Sequence, residues 1–343
     1  HVHELSFGLT TATGQPKPSL VEFHRFADLL DRIDLRSCRR ADTDTAILVP
    51  SYLSGDYPFV SEADRRAIPA VLTQSYIAAS RAGLTPAVVR EEEGLPPTSL
   101  TLIPSAKALT GPTFSALAER ARAGAHIYLS YFAGAGPRPG GAWWPSLEPL
   151  FGVRHKLRYG IADQADPEVT LTVGKPFGAF ASGDRLAIAP AGPNTAYLPL
   201  EVTGDTDVLL VDGHDQPALV RRVIGDGALY LGAYPIEYYA SQRADANADD
   251  QTPLLYEALA AEAGANPDIG SSNPHVITDS LVRDDGTRFV WLINCTDTSQ
   301  PTLVAMPDDI TLRDVLTGEP VNAATMLDPF GIRVARCEIP CES

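Results

Sequence analysis

Cysteine is scarce in this sequence, with 4 in 343 residues: Cys38, Cys295, Cys337 and Cys341. None stands at C-x2-C spacing, so neither a disulfide framework nor a zinc knuckle is expected; Cys337 and Cys341 make only a C-x3-C in the tail. Free thiols point to a reducing compartment, and a cytoplasmic location is expected. Long apolar runs are also missing. No stretch approaches the ~20 residues of a membrane helix, so no membrane partner is expected. Positive charge is in short supply: 27 Lys and Arg against 43 Asp and Glu leave a formal charge of −16. A phosphate backbone would be repelled, which excludes nucleic acid as an expected partner.

Several chemical signatures are absent as well. The 7 histidines are scattered, with no H-E-x-x-H and no clustered Asp/His set, so no metal is expected. No G-x-S-x-G elbow occurs, which argues against a serine hydrolase. Gly134-Ala135-Gly136-Pro137-Arg138-Pro139-Gly140 is spaced G-x-G-x3-G, and its two prolines remove N–H groups that would hold phosphate. It reads as a plain loop, and no cofactor is expected. The densest acidic group, Asp205, Asp207, Asp212 and Asp215 with His214, flanks a predicted strand and reads as a solvated rim. There is no initiator Met: the chain opens His1-Val2-His3-Glu4 and reads as a piece of something larger.

What is present is an ordered alternation of elements. Ser19-Leu20-Val21-Glu22 spells a capping box, and Leu20, Phe23, Ala27, Leu30 and Ile33 form one apolar stripe behind it. The spacing predicts a helix to Asp34. From Asp44 the pattern is β/α: strands at 45–50, 86–89, 100–103 and 126–132, and helices from Ser61 to Gly83 and from Thr110 to Gly124. Short apolar strands alternating with helices imply a parallel sheet with right-handed crossovers. Residues 157–200 read as a β-rich insertion. The α/β theme resumes at 208–211, 218–224 and 228–231, the last two joined by an Asp226-Gly227 hairpin signal. Residues 242–251 are acidic and small, and are expected to be mobile; a helix closes the domain at 253–263. After Asn266-Pro267 only short strands and turns follow, which predicts an antiparallel sandwich.

Glu4, Phe7, Gly8, Leu9, Gly14, Pro16, Lys17 and Pro18 together resemble the strand-eight exit of a (β/α)8 glycoside hydrolase. Residues 44–264 resemble the trimerisation-type domain of family 42 β-galactosidases, a relative of the class I glutamine amidotransferase and flavodoxin-like folds. The loop from Ser51 to Phe59, then Ser61 to Arg65, and the ending Asp328-Pro329-Phe330-Gly331-Ile332-Arg333-Val334 look closest to family 5 β-mannosidases. The resemblance implies an α/β fold class with three parts: 1–37 as the last strand exit and helix of a barrel, 38–265 as an amidotransferase-like domain, and 266–343 as a β-sandwich. It further implies a retaining β-glycosidase whose acid/base and nucleophile carboxylates lie upstream, so that no catalytic residue is expected here. The expected partners are that upstream barrel, a carbohydrate substrate and further copies of the chain.

An amidotransferase thiol would sit on a strained turn after a strand. The expected position, Tyr131-Phe132-Ala133-Gly134, has none. Five residues are candidates for a substrate rim: Glu4, which the barrel reading puts near the active-site face and for which an interdomain salt bridge is the favoured alternative, and the aromatic loops carrying Tyr52, Tyr57, Trp143 and Trp144. Exposed aromatic pairs stack on sugar C–H faces, yet Trp and Tyr also favour protein interfaces, and both readings stay open. The rival from another class is a stand-alone amidotransferase-like module that binds a small ligand without catalysis.

Overall fold

The computed structural model describes residues 8–55, 57, 60–134, 147–156, 163–265, 269–307 and 309–338. It divides into two compact units. A central unit comprises residues 43–267, and a terminal unit joins the two ends of the chain, up to 42 and from 268.

In the terminal unit, helix α1 (Pro18–Ile33) begins one residue before the predicted cap. Lys17 is the N-cap without a side-chain hydrogen bond, and Pro18 opens the helix. Proline's fixed φ suits the first helical position and costs no hydrogen bond there, so Ser19 falls inside the first turn and the expected capping box does not form. The helix ends at Asp34 in the left-handed region. Its C-terminal half is anchored: Leu29 and Ile33 are buried with Phe289 and Val334, and Leu30 packs beside them. The Arg32 guanidinium donates to the carbonyls of Val315 and Leu316 at 3.1 and 3.0 Å. The stripe on α1 is therefore partly covered within this chain. Phe23 and Phe26, by contrast, are 62% and 43% exposed.

The terminal strands are antiparallel, as the turn spacing predicts. One five-stranded sheet runs Cys38–Arg40, Val276–Arg283, Arg288–Asn294, Ile332–Glu338 and Thr311–Asp314 in spatial order. A three-stranded sheet joins Gly270–Ser271, Gln300–Ala305 and Ala324–Leu327. Val276, Val290, Leu292, Val304, Leu312 and Leu327 form the core. Among the described residues no (β/α)8 barrel is formed.

The central unit is built on one mixed sheet of nine strands: β1 (Thr45–Val49), β2 (Ala87–Arg90), β3 (Leu100–Ala106), β4 (His126–Tyr131), β5 (Val169–Val173), β6 (Arg185–Ile188), β7 (Asp207–Val211), β8 (Pro217–Ile224) and β9 (Gly227–Gly232). Their order is β2-β1-β3-β4-β9-β8-β7-β5-β6. The first five in that order pair in parallel and the rest antiparallel. Every residue of β3 and β9 is buried, the signature of strands covered on both faces. Helices α2 (Glu62–Arg81), α3 (Gly111–Arg122), α4 (Ile236–Ser241) and α5 (Thr252–Ala263) belong to the unit, as do a short helical stretch, Leu147–Phe151, and an antiparallel pair of Val153–His155 with Leu200–Val202.

Local chemistry sets several boundaries. Ser61 and Asp64 exchange the two hydrogen bonds of a capping box at the start of α2, and Thr110 caps α3. The β8–β9 hairpin turns on Gly225-Asp226, one residue before the predicted dipeptide, because Gly225 takes the positive φ of 64°. Gly227 instead opens β9 at a close approach; a Cβ there would lie 2.2 Å from the Ala125 carbonyl. One further expectation changes. The strands β5 and β6 of the predicted insertion extend the main sheet. The acidic segment 242–251 contains a helical turn, Ala246–Asp249, held by an Arg243–Asp249 ion pair and by Arg81 donating to the Asn247 carbonyl.

Truncating Ile33 to alanine removes a fully buried side chain from the α1 anchor and should destabilise the terminal unit by about 2–5 kcal/mol. Phe23→Ala, on the open part of the same helix, should change it by no more than about 0.5 kcal/mol. Denaturant midpoints of the two variants check the contrast; equal effects would mean that α1 is not anchored as described.

Candidate functional site

Ligands of open α/β sheets bind beyond the carboxyl ends of the parallel strands, so that edge is the first candidate. Here it carries Ser51 and Tyr52 after β1, Glu91 after β2, Ser105 and Lys107 at the end of β3, Gly134 beyond β4, and Tyr234 and Glu237 beyond β9.

Glu237 is 1% exposed and sits among hydroxyls. Ser105 and Ser130 donate to its Oε2 at 2.9 and 2.6 Å, and Tyr256 donates to Oε1 at 2.9 Å. Tyr256 also meets the Ser75 hydroxyl of α2 at 2.9 Å. Burial raises the carboxyl above its ordinary value, against the opposing pull of the Ser130 hydrogen bond and weaker ones. Ser105 has φ 42°, a left-handed conformation in a non-glycine residue, at an irregularity in the β3–β4 pairing. Such a conformation costs about 1–3 kcal/mol and persists only where its surroundings fix it. Here the fixing bonds are the Ser105 N–H donating to Ser130 Oγ at 2.6 Å and the Tyr238 N–H donating to Ser105 Oγ at 3.2 Å.

Ser105 is thus a strained strand end of this sheet edge, separate from the thiol-free Tyr131-Phe132-Ala133-Gly134 at the end of β4. It bears a hydroxyl instead of a thiol, that hydroxyl is fully buried, and no histidine is among its partners.

Next to it lies a buried ion pair. Lys107 Nζ is 3.2 Å from Asp64 Oδ2, the same carboxylate that closes the α2 capping box. Gly134 backs onto this pair at φ 115°, and a Cβ there would fall 2.3 Å from Lys107 Nζ. The Asn194 carboxamide holds the Gly134 carbonyl at 2.7 Å. Glu91 makes a third knot: its buried carboxylate accepts the Ser51 N–H at 2.8 Å and the Thr110 N–H at 2.6 Å, tying the ends of β1 and β2 to the start of α3. In all three knots the carboxylate oxygens are spent on fixed donors of the fold.

The predicted rim residues are placed as follows. Tyr52 is 1% exposed, packs with Ile68 and Ala108, and accepts the Lys107 N–H at 3.2 Å. Burial drives its phenol far above its ordinary value. Tyr57 is half-buried at the margin of the same cluster. Glu4, Trp143 and Trp144 lie outside the described residues. Sequence reasoning missed Ser105, Glu237, Lys107, Asp64 and Glu91 as site residues. The available signals were Pro104-Ser105 interrupting an apolar run and a lone Glu among aromatics in Tyr234-Pro235-Ile236-Glu237-Tyr238-Tyr239. Among the described residues no group of three or more His, Cys, Asp and Glu could hold a metal ion, and no helix is long and apolar enough to cross a membrane.

The sequence matches no protein-family model and no curated protein. Solved structures do match. A β-galactosidase from Bacillus circulans sp. alkalophilus superposes with a TM-score of 0.70 at 15% identity, over 96% of this chain and 47% of that one. A GH42 β-galactosidase from G. stearothermophilus gives 0.70 at 16%, over 96% and 45%. An exo-β-1,4-mannosidase from Opitutaceae bacterium strain TAV5 gives 0.54 at 17%, over 74% and 41%. The chain shares its fold with part of each of these structures. The chain spans less than half the length of each of these structures.

The raised Glu237 carboxyl has a pH consequence. The folded state keeps this proton at a pH where the unfolded chain has lost it. Its contribution to stability is therefore complete below the ordinary value of 4.5 and is lost as pH rises through the raised folded value. Glu237→Gln cannot titrate, so its melting temperature relative to the parent should improve as pH rises through that window. Thermal melts of both proteins across pH check the sign; a difference that moves the other way would contradict it.

Proposed function

We propose that this chain is a non-catalytic C-terminal portion of a retaining β-glycosidase, of the β-mannosidase kind. In this reading α1 is the last helix of a (β/α)8 barrel and braces it. The central unit is an amidotransferase-like, trimerisation-type domain that makes oligomer contacts and has lost amidotransferase chemistry. The observation that carries the reading is the double character of α1. Leu29 and Ile33 are already buried within the terminal unit, yet Val21, Phe23 and Phe26 remain exposed on the same helix. Fully burying such a side chain is worth about 1.5–3 kcal/mol, so this surface calls for a second partner. That the neighbouring glycosidases are more than twice as long as the region they share with this chain supports a barrel as that partner.

The closed carboxyl edge supports the non-catalytic part. A retaining mechanism needs two carboxyl groups facing substrate about 5–5.5 Å apart, whereas Glu91 and Glu237 are buried and satisfied from within. Glu4, Tyr57, Trp143 and Trp144 remain the residues proposed to fence a substrate pocket, and Tyr52 would support the Tyr57 loop from beneath.

The purified chain should not turn over nitrophenyl β-mannoside or β-galactoside. Turnover abolished by changing one of its own acidic residues would refute the reading. The chain should also bind an apolar dye, and Phe23→Ser with Phe26→Ser should remove most of that signal while the far-UV spectrum stays unchanged. Dye binding indifferent to both changes would leave the bracing helix without support.

A further inference from the structure

At the antiparallel half of the large sheet, a cavity of about 360 Å³ opens beside Tyr197 and Tyr234. Asp212, read from sequence as part of a solvated rim, is in fact the buried pivot of this place. Its Oδ1 accepts the N–H groups of His214 and Gln216 at 2.8 and 3.0 Å, and its Oδ2 accepts the Tyr234 hydroxyl at 2.8 Å. One carboxylate thus fixes both the turn after β7 and an aromatic ring beyond β9. Tyr234 in turn stacks on Tyr197, with centroids 4.8 Å apart and planes 5° from parallel. Both tyrosines line the cavity, Tyr234 buried and Tyr197 partly exposed, and the stack fixes their rings before any ligand arrives.

The rest of the lining is polar and mixed in sign. Asp166 Oδ2 lies 3.0 Å from His214 Nε2, and Lys156 Nζ lies 3.4 Å from Gln216 Oε1. Gln164 Oε1 accepts from Thr195 at 2.9 Å, which turns its NH2 end into a positioned donor. The set offers one carboxylate, one ammonium, one imidazole and two carboxamides around an aromatic face. A phosphate or other anion would meet the Asp166 carboxylate, and an apolar ligand would strip water from charged groups without repayment. A neutral polyol ring suits every part: its C–H face against the tyrosines, its hydroxyls donating to the carboxylate and accepting from the carboxamides and ammonium. The volume lies in the range of small-molecule sites.

We propose that this cavity is a carbohydrate-binding site for a single neutral hexopyranose residue, held by Asp166, Gln164, Gln216 and Lys156 against the Tyr197–Tyr234 stack. None of these residues takes part in the bracing surface of α1, so the two proposals fail separately.

Calorimetric titration of the whole chain with methyl β-mannopyranoside and methyl β-galactopyranoside tests it. Saturable millimolar binding of at least one glycoside is expected. Tyr197→Ala should weaken it by about tenfold, the equivalent of an aromatic contact of ordinary strength. Asp166→Ala, at an exposed side chain whose loss does not threaten folding, should weaken it by a similar factor, while Phe23→Ser should bind as the parent does. Three outcomes overturn the assignment: no saturable binding of either glycoside; binding that Asp166→Ala and Tyr197→Ala leave unchanged; or inorganic phosphate binding that is lost in Lys156→Ala.

Discussion

One buried carboxylate holds the central unit together. Glu237, on α4, receives a hydroxyl from β3, another from β4 and a third from α5, and the last of these is shared with α2 through Ser75. A buried carboxyl group is costly unless its oxygens are occupied, so the network is stable only when all of these elements are in register at once. The strained backbone of Ser105 follows from the same demand. A hydroxyl reaches both Glu237 and the Tyr238 N–H because residue 105 takes the left-handed conformation, and the bonds it makes there offset the strain.

The knots at Asp64 and Glu91 repeat this logic at the neighbouring strand ends. Each is an acidic side chain that accepts backbone N–H groups, and Asp64 also takes the Ser61 hydroxyl and a buried ammonium of the same unit. In a sheet of this kind the carboxyl edge is where loops diverge and where ligands enter. Filling it with internal acceptors converts a flexible rim into a fixed surface. At the antiparallel end of the sheet, around Asp212, polar groups instead face a cavity.

Much of the fold was legible from periodicity and punctuation. The parallel strands stand out as short apolar runs, and Ser61 with Asp64 marks the start of α2 as expected. The failures have physical causes. Ser19 and Glu22 have the spacing of a capping box, but Pro18 fixes the helix start one residue too early for it. The alternation in Val169–Val173 is the same whether the strand belongs to a separate insertion or to the edge of the main sheet, because alternation reports one buried face and not the identity of the neighbour. The stripe on α1 likewise names the apolar residues without naming what covers them. The polar network was the least legible part: Ser75, Ser105, Ser130, Glu237 and Tyr256 are far apart in sequence, and only strand order brings them together. Of the aromatic candidates, Tyr52 illustrates the limit, since a tyrosine in a loop looks the same in sequence whether its ring faces solvent or the core.

The terminal unit is made of the first and last parts of the chain, and this gives synthesis a direction. Arg40 and its ion-pair partner Asp279 are separated by 239 residues. At about 5–20 residues per second, a ribosome takes roughly 10–50 s to make the intervening stretch, long enough for the central unit to fold first. Throughout that interval α1 has emerged while the strands that receive Leu29 and Ile33 do not yet exist. The buried half of α1 therefore waits for strands made more than 200 residues later, and its cover within the terminal unit closes only after the central unit has been made.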